Sequence, residues 1–416
     1  MRKTRNPWAS KAKALDRYRW ALLRQRHGRI GSGLRFFRDA VKDTIFGWLA
    51  RFRLDSNLSP LVCDFLLLQS TPKVVELKRK RLLIKELQKR GYCLIETALD
   101  THRSLLSKRQ FYHPDNYVPV RYFGYAAHAK WLVEYYRPRV LINDRNGSIF
   151  VPFIKLALEF YGAKLVHLAH ATTLDSSSRL SMNDYHYYFL FGQSSLEALR
   201  QRKLLFGTSM AVLAGSHMID ESYQLPTLDP GKKTLLVLGV GPEREKLDSY
   251  LQSYALLRDW AVANTDYQVL IKAHPRSTVK YWTQYAIKNI QVLSPNITLA
   301  DALAKASIVI NILSNAIIEA GLSGRPIVRV NCGHSEDVFG ESKFFGSSIK
   351  NAASLTRSIR NIENNYAVYC QQSFYFSQYH LEHGADGLKN NVQALKDILE
   401  GKLPGMRCEK LVESSI

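Results

Sequence analysis

The chain has 416 residues, 46% of them hydrophobic and 23% charged, which excludes a disordered or low-complexity protein and leaves room for two domains. Its formal net charge is +22, and a surplus of that size attracts phosphates, whether in nucleic acid, anionic lipid or a nucleotide substrate. Five cysteines stand far apart without a C-x-x-C pair, so no zinc or redox motif is visible; they read as free thiols, with buried packing expected for Cys63 and Cys93.

The surplus is concentrated at the front. Residues 1–53 hold 15 Lys and Arg against 3 Asp and Glu. Trp8, Trp20, Leu34, Phe37, Ile45, Phe46, Trp48 and Phe52 are interleaved with those arginines. Residues 1–55 therefore read as a basic amphipathic helical segment at an anionic membrane surface, where each cation contributes about 1 kcal/mol. A helix packed on the body with a solvated basic face has the same pattern. Nucleic acid is not expected as a partner, because no nucleic-acid motif follows. No run of about 18 apolar residues occurs, and no apolar stretch with a small-residue cleavage site follows the basic start. The expected location is cytoplasmic, peripheral on the inner face of the cytoplasmic membrane.

From Leu61 the pattern changes to alternation. Leu61–Gln69 predicts a buried strand, Lys73–Arg90 a helix closed by Gly91, and Tyr92–Glu96 a strand. Ala129–Tyr136 predicts a helix, Val140–Asn143 a strand, Ser148–Tyr161 a helix and Leu165–Ala169 a strand. Short strands at Tyr187–Phe191 and Val212–Leu213 flank a helix at Ser195–Arg202. The stretch Gln224–Lys233, QLPTLDPGKK, is the best linker candidate. Behind it the alternation resumes: strands at Thr234–Val240, Gln268–Ala273, Val292–Leu293, Ile308–Leu313 and Pro326–Val330. Helices are predicted at Glu243–Ala263, Leu299–Lys305, Asn315–Leu322, Ala352–Glu363 and Asn390–Glu400. Such alternation describes α/β architecture with two doubly wound parallel sheets, Rossmann-like, residues 56–224 forming one lobe, 225–400 a second and 401–416 a tail. Ligands are expected in a cleft between the lobes, at the carboxyl ends of both sheets.

Val269–Ser277, VLIKAHPRS, delivers Lys272, His274 and Arg276 from a strand into a loop whose turn Pro275 fixes. Three cations at a strand end make an anion site. A histidine there can equally be a satisfied structural residue. Ile308–Glu319, IVINILSNAIIE, places Ser314 and Asn315 where a helix begins, with free N–H groups and a hydroxyl aimed at one spot. Plain N-capping by Ser314 is the alternative. Glu319, five residues on, is placed to accept both hydroxyls of a ribose, or simply to complement the helix dipole. Gly239 and Gly241 end the first strand of the second half and let backbone approach a ligand. They do not form G-x-G-x-x-G, so no dinucleotide cofactor is expected.

The strand–His-Pro element, followed by strand–Ser-Asn turn–helix with Glu and Gly324-Arg325-Pro326, resembles the nucleotide lobe of GT-B glycosyltransferases. It is most similar to those using cytidine-nucleotide donors for bacterial surface glycans: Kdo transferases, His-Pro sialyltransferases and CDP-glycerol glycerophosphotransferases. Tyr185–Gly192 and Val212–Asp220 resemble the segment that precedes that lobe. The resemblance implies that His274 contacts the donor phosphate, Ser314 and Asn315 bind phosphate oxygens, and Glu319 holds the ribose. It departs at Asn315, where those families keep a second hydroxyl. The implied substrates are a nucleotide-sugar donor and a lipid-linked or glycan acceptor; no separate cofactor is implied. With no Asp-x-Asp pair after a strand, no metal is required, and cations with a helix N-terminus would stabilise the departing phosphate.

An acceptor hydroxyl needs a base. Asp144 follows the strand Val140–Asn143, and His170 with His167 ends the next, with Asp175 just beyond. Side chains alternate along a strand, so at most one of the two histidines faces a ligand, and His170 is preferred. Asp144 can equally cap the helix at Ser148. Glu243 is the carboxylate to test if the transfer retains configuration. Two other readings fit: a polyol-phosphate transferase or nucleotide-sugar 2-epimerase of the same fold, and a non-enzymatic nucleotide- or nucleic-acid-binding protein.

Overall fold

Short aliphatic runs such as FLLLQ and VLIN are buried along their whole length, as strands must be when helices cover both faces of a parallel sheet. The computed structural model describes residues 6–55, 59–172, 181–333 and 337–413, and the chain divides into two units, Met1–Met218 with Gly387–Ile416, and Ile219–Asp386.

In the first unit the strands are β1 (Phe65–Gln69), β2 (Leu94–Ala98), β3 (Val140–Asn143), β4 (Lys164–Leu168), β5 (Tyr187–Leu190) and β6 (Ser209–Leu213). They lie in the order β6-β5-β4-β3-β1-β2, all parallel, and the strand Cys408–Leu411 adds antiparallel to the outer edge of β6. The predicted helix Lys73–Arg90 is two helices, Pro72–Glu76 and Arg81–Lys89, broken where Lys78 takes φ +49°. That break matters below, because it turns Lys80 inward.

The front of the chain is part of this unit rather than a separate segment. Helix Pro7–Arg24 is capped by Asn6, whose side chain accepts from the Trp8 and Ala9 amides. Trp8, Ala12, Leu15 and Tyr18 recur at helical spacing and are buried. Helix Arg29–Arg51 packs against helix Val120–Tyr136 so closely that a Cβ on Gly47 would sit 1.8 Å from the Val120 carbonyl oxygen. Arg19 pairs with Asp43 at 2.6 Å, joining the two front helices to each other, and Arg121 with Asp16 at 2.5 Å, tying the first of them to the body.

The second unit holds β7 (Thr234–Leu238), β8 (Gln268–Lys272), β9 (Ile290–Val292), β10 (Ile308–Asn311) and β11 (Ile327–Arg329), in the order β11-β10-β7-β8-β9 and all parallel. The chain moves outward from β7 in both directions, so β7 and β10 flank the point where the order reverses.

Two domain boundaries differ from expectation. The division falls after Met218, before the proline-rich stretch Gln224–Lys233, and the last helix, Gly387–Leu399, rejoins the first unit. Asn391 donates to the carbonyls of Ala214 and Gly215 at 3.0 and 3.1 Å, and Val392, Leu395 and Ile398 share a core with β1 and β3. The tail contributes a strand through the pairs Cys408↔Val212 to Leu411↔Ser209. Amphipathic periodicity predicts that such segments are buried but not against which sheet. Among the described residues the cysteines form no disulfide; Cys63 is buried as expected, whereas Cys93 is exposed ahead of β2.

Candidate functional site

The carboxyl edge of the second sheet gathers most of the residues singled out for anion binding. In register, Lys272 of β8 lies opposite Leu238 of β7, and Leu238 opposite Asn311 of β10. The loops after these strands therefore leave one edge side by side. His274 and Ser314 follow strands two spacings apart, about 10 Å, the length scale of a nucleotide rather than of a single phosphate.

Gly239 ends β7 hard against β8. Its amide donates to the Lys272 carbonyl at 2.9 Å, and an added Cβ would lie 3.0 Å from Ala273 Cα and from the His274 nitrogen. That approach explains the glycine. Lys272 is half-buried and has no carboxylate partner among the described residues; burial alone lowers its ammonium pKa. The His274 ring accepts from the Arg276 amide through Nδ1 at 3.1 Å. A neutral imidazole so engaged carries its proton on Nε2, ready to donate to an anion. Burial, with help from Arg276, lowers its pKa, and Glu245 and Glu243 oppose.

Pro275 and Arg276 are exposed, and Arg276 approaches Glu243 at 3.9 Å. Glu243, whose side chain is 77% exposed, sits in an open loop, since the predicted helix begins at Asp248 rather than at Glu243. Glu245, which sequence reasoning passed over, accepts from the Ser277 hydroxyl and so links the β7 and β8 loops. Val279 next to it is held at φ +51°, a conformation that strains a β-branched residue by about 1–3 kcal/mol and gathers at functional sites.

The Ser314 region differs from expectation. The helix starts at Ile317 and is six residues long, Ile317–Leu322. The Ser314 amide donates to Asn311 Oδ1 at 3.0 Å, and the Ala316 amide approaches Ser314 Oγ at 3.4 Å. Two donors expected to be free are thus engaged within the turn. Ser314 is half-buried, Asn315 and Gly241 are open to solvent to differing degrees, and Ser314 caps no helix through its side chain. Arg325, in the Gly-Arg-Pro turn, is fully buried and donates to the carbonyls of Leu303 and Pro226, a structural role.

Glu319 is half-buried with no cation against it among the described residues, and burial pushes its carboxyl up to about 7. Its charge also reaches Tyr223. With an ordinary value of 4.5 in the unfolded chain, the folded state holds this proton more tightly, so stability falls as pH rises from about 4.5 to 7. Glu319→Gln is expected to raise the melting temperature at about pH 8 and to leave it unchanged at about pH 4. Thermal unfolding across that range checks it; an equal shift at both ends would remove the buried carboxyl from the site.

The carboxyl edge of the first sheet carries a second polar cluster. Lys80 and Asp144 are both buried and pair at 2.5 Å; Lys80 also reaches Gln69 Oε1 at 3.4 Å. Asp144 Oδ1 is buried without a hydrogen-bond partner among the described residues. Asp144 does not cap the following helix, which begins at Val151. His167 is fully buried between the rings of Tyr185 and Tyr188, and burial pushes its pKa down to about 3. His170, two residues past the end of β4, stays open to solvent. The protein packed around it lowers its pKa most, Lys80 and Arg79 add to this, and Asp144 opposes. His217 is buried with both ring nitrogens unpartnered among the described residues, and burial pushes its pKa down to about 3. Asp175 lies outside the described residues.

Among solved structures, 82% of this chain aligns with 98% of a Listeria monocytogenes protein described as a UDP-N-acetylglucosamine 2-epimerase, at 13% identity and a TM-score of 0.53. Staphylococcus aureus MnaA in a co-structure with UDP matches 84% of this chain and 100% of its own at 12% identity, also with a TM-score of 0.53. The chain has the GT-B fold. The wall teichoic acid polymerase TagF gives 10% identity over 88% of this chain and 98% of its own, with a TM-score of 0.48. No protein-family model matches the sequence, and no curated protein does.

Within the GT-B fold, sequence reasoning missed Lys80, His217, Glu245 and Tyr223. Lys80 sits in the run KRKR and looks like any solvated helix charge. His217 lies in AGSHMID, where nothing marks it from a loop histidine. Neither has a signal short of the fold itself.

Proposed function

We propose that this chain is a metal-independent transferase that moves a sugar, or a sugar-like group, from a nucleotide-activated donor. One observation carries the reading: Lys272, uncompensated by a carboxylate among the described residues, and the Nε2–H of His274 leave the same sheet edge as Gly239 and Ser314, with the protonatable Glu319 in the helix that follows. Cations and a donor there suit phosphate oxygens, and Glu319 suits ribose hydroxyls. His170 is the base for the acceptor hydroxyl in this reading, with Asp144 behind it. The resemblance of the His-Pro and Ser-Asn elements favours a CMP-linked donor of the Kdo or sialic acid kind. It also favours a lipid-linked or glycan acceptor in lipopolysaccharide or capsule synthesis, at the inner face of the cytoplasmic membrane.

Thermal unfolding with CMP, CDP, UDP and GDP tests the donor site. CMP at a hundredfold excess over its Kd is expected to raise the melting temperature of a unit of this size by about 5–10 °C. No shift with any of the four would end the reading. Conversion of a free nucleotide sugar without acceptor would assign 2-epimerisation instead.

A further inference from the structure

Helix Arg29–Arg51 has two opposed faces. Ser32, Asp43, Phe46, Gly47 and Ala50 are buried against the rest of the unit. On the far side Ile30, Leu34, Phe37, Val41, Ile45 and Trp48 stand at steps of three and four residues, one stripe along the helix, and all are exposed, Ile30 at 82% and Phe37 at 69%. The stripe is about 27 Å long at the rise of an α-helix. On helix Pro7–Arg24 the large apolar side chains Trp8, Leu15 and Tyr18 are buried, and only Trp20, edge-on to Phe36, is exposed, at 40%.

Cations border the stripe. At about 100° per residue, Arg35, Arg38 and Lys42 fall roughly a quarter-turn to one side of it, and Arg29 and Arg51 to the other. Of these five only Arg38 has a carboxylate within ion-pair reach among the described residues, Asp39 at 2.9 Å; Arg51 instead lies over the Phe123 ring. No helix among the described residues is long and apolar enough to cross a membrane. An apolar centre flanked by cations, most of them without a carboxylate partner among the described residues, is the arrangement of a helix lying in the plane of an anionic interface.

We propose that this face docks the protein on an anionic phospholipid bilayer, with the stripe sunk into the headgroup–acyl boundary and the flanking cations against lipid phosphates. Charge selects this occupant over a second copy of the chain, because pairing two stripes would bring both cation rows together on a chain of net charge +22. The inference deepens the membrane placement in the function proposed above, and it assigns the contact to one face of one helix rather than to the whole basic front.

The test uses the full chain without donor or acceptor, so its outcome is independent of the nucleotide site. Vesicles of phosphatidylcholine alone, or mixed with phosphatidylglycerol, are floated with the protein. Flotation is expected only with the mixed vesicles and is lost in high salt. Trp48 emission should move to the blue on binding, and W48F should abolish that shift while flotation persists. The triple variant R35Q/R38Q/K42Q should bind about 100-fold more weakly, at about 1 kcal/mol for each cation, and F37S/I45S should remove the emission shift. Both sets of side chains point away from the body, so circular dichroism and melting should match the parent. No added flotation with phosphatidylglycerol, or an unchanged Trp48 spectrum in the parent protein, overturns the proposal. So does a dimer by light scattering that Phe37→Glu converts to monomer.

Discussion

Replacing His274 by alanine is expected to weaken nucleotide binding and donor turnover about 10- to 150-fold, the equivalent of about 1.5–3 kcal/mol for a hydrogen bond to a charged group. The size follows from the ring's orientation. Nδ1 is occupied by the Arg276 amide, so Nε2–H is the free donor, and it leaves the same sheet edge as the uncompensated Lys272. The two conservative amides separate donation from shape. Glutamine places its amide nitrogen near Nε2 and should keep part of the affinity; asparagine reaches only the Nδ1 position and should behave like alanine. The fold should be unaffected, because the ring is only half-buried and is held by one loop amide. Calorimetry with CMP, followed by steady-state transfer, measures both effects. Equal affinities for alanine, asparagine and glutamine variants would show that Nε2 donates to nothing the nucleotide carries.

Lys80→Met should destabilise the first unit by about 3–5 kcal/mol, because it strands Asp144 as a buried carboxylate whose Oδ1 already lacks a partner among the described residues. Removing both charges, as K80M/D144L, should recover most of that loss, since an apolar pair avoids the desolvation that the ion pair must offset. Urea unfolding of the two variants and the parent gives the comparison. A second readout separates stability from chemistry. Lys80 lowers the His170 pKa and Asp144 raises it, so at the low urea-free end, where Lys80→Met remains folded, the pH dependence of transfer should move upward. A cost below about 1 kcal/mol, the range of surface pairs, would mean the pair is solvated.

The strand–helix alternation was legible because buried parallel strands leave continuous aliphatic runs, and FLLLQ, VLIN and IVIN say so without help from the fold. His167, within β4, is in the core, and His170, two residues past its end, is not, a difference set by where the strand stops rather than by alternation. The basic loop after β8 was visible because Lys272, His274 and Arg276 stand at a strand's end and a proline fixes the turn. The turn after β10 was read less well: its Ser314 amide looked free in sequence and is taken by Asn311, a bond that closes only once the loop has folded back.

What the sequence determined by itself is local: which runs are strands, where loops begin, and which side chains those loops carry. Partners were decided by the tertiary structure. Lys80 became a buried counter-ion only because the helix breaks at Lys78 and Asp144 lies across the sheet edge, 64 positions away. The last helix joined the first sheet because Asn391 finds carbonyls there. The helix Arg29–Arg51 is apolar on both sides in sequence, and only its packing against Val120–Tyr136 chose which side stays outside. Periodicity is set by bonds between neighbours along the chain, whereas burial and charge pairing depend on distances that the chain order does not contain.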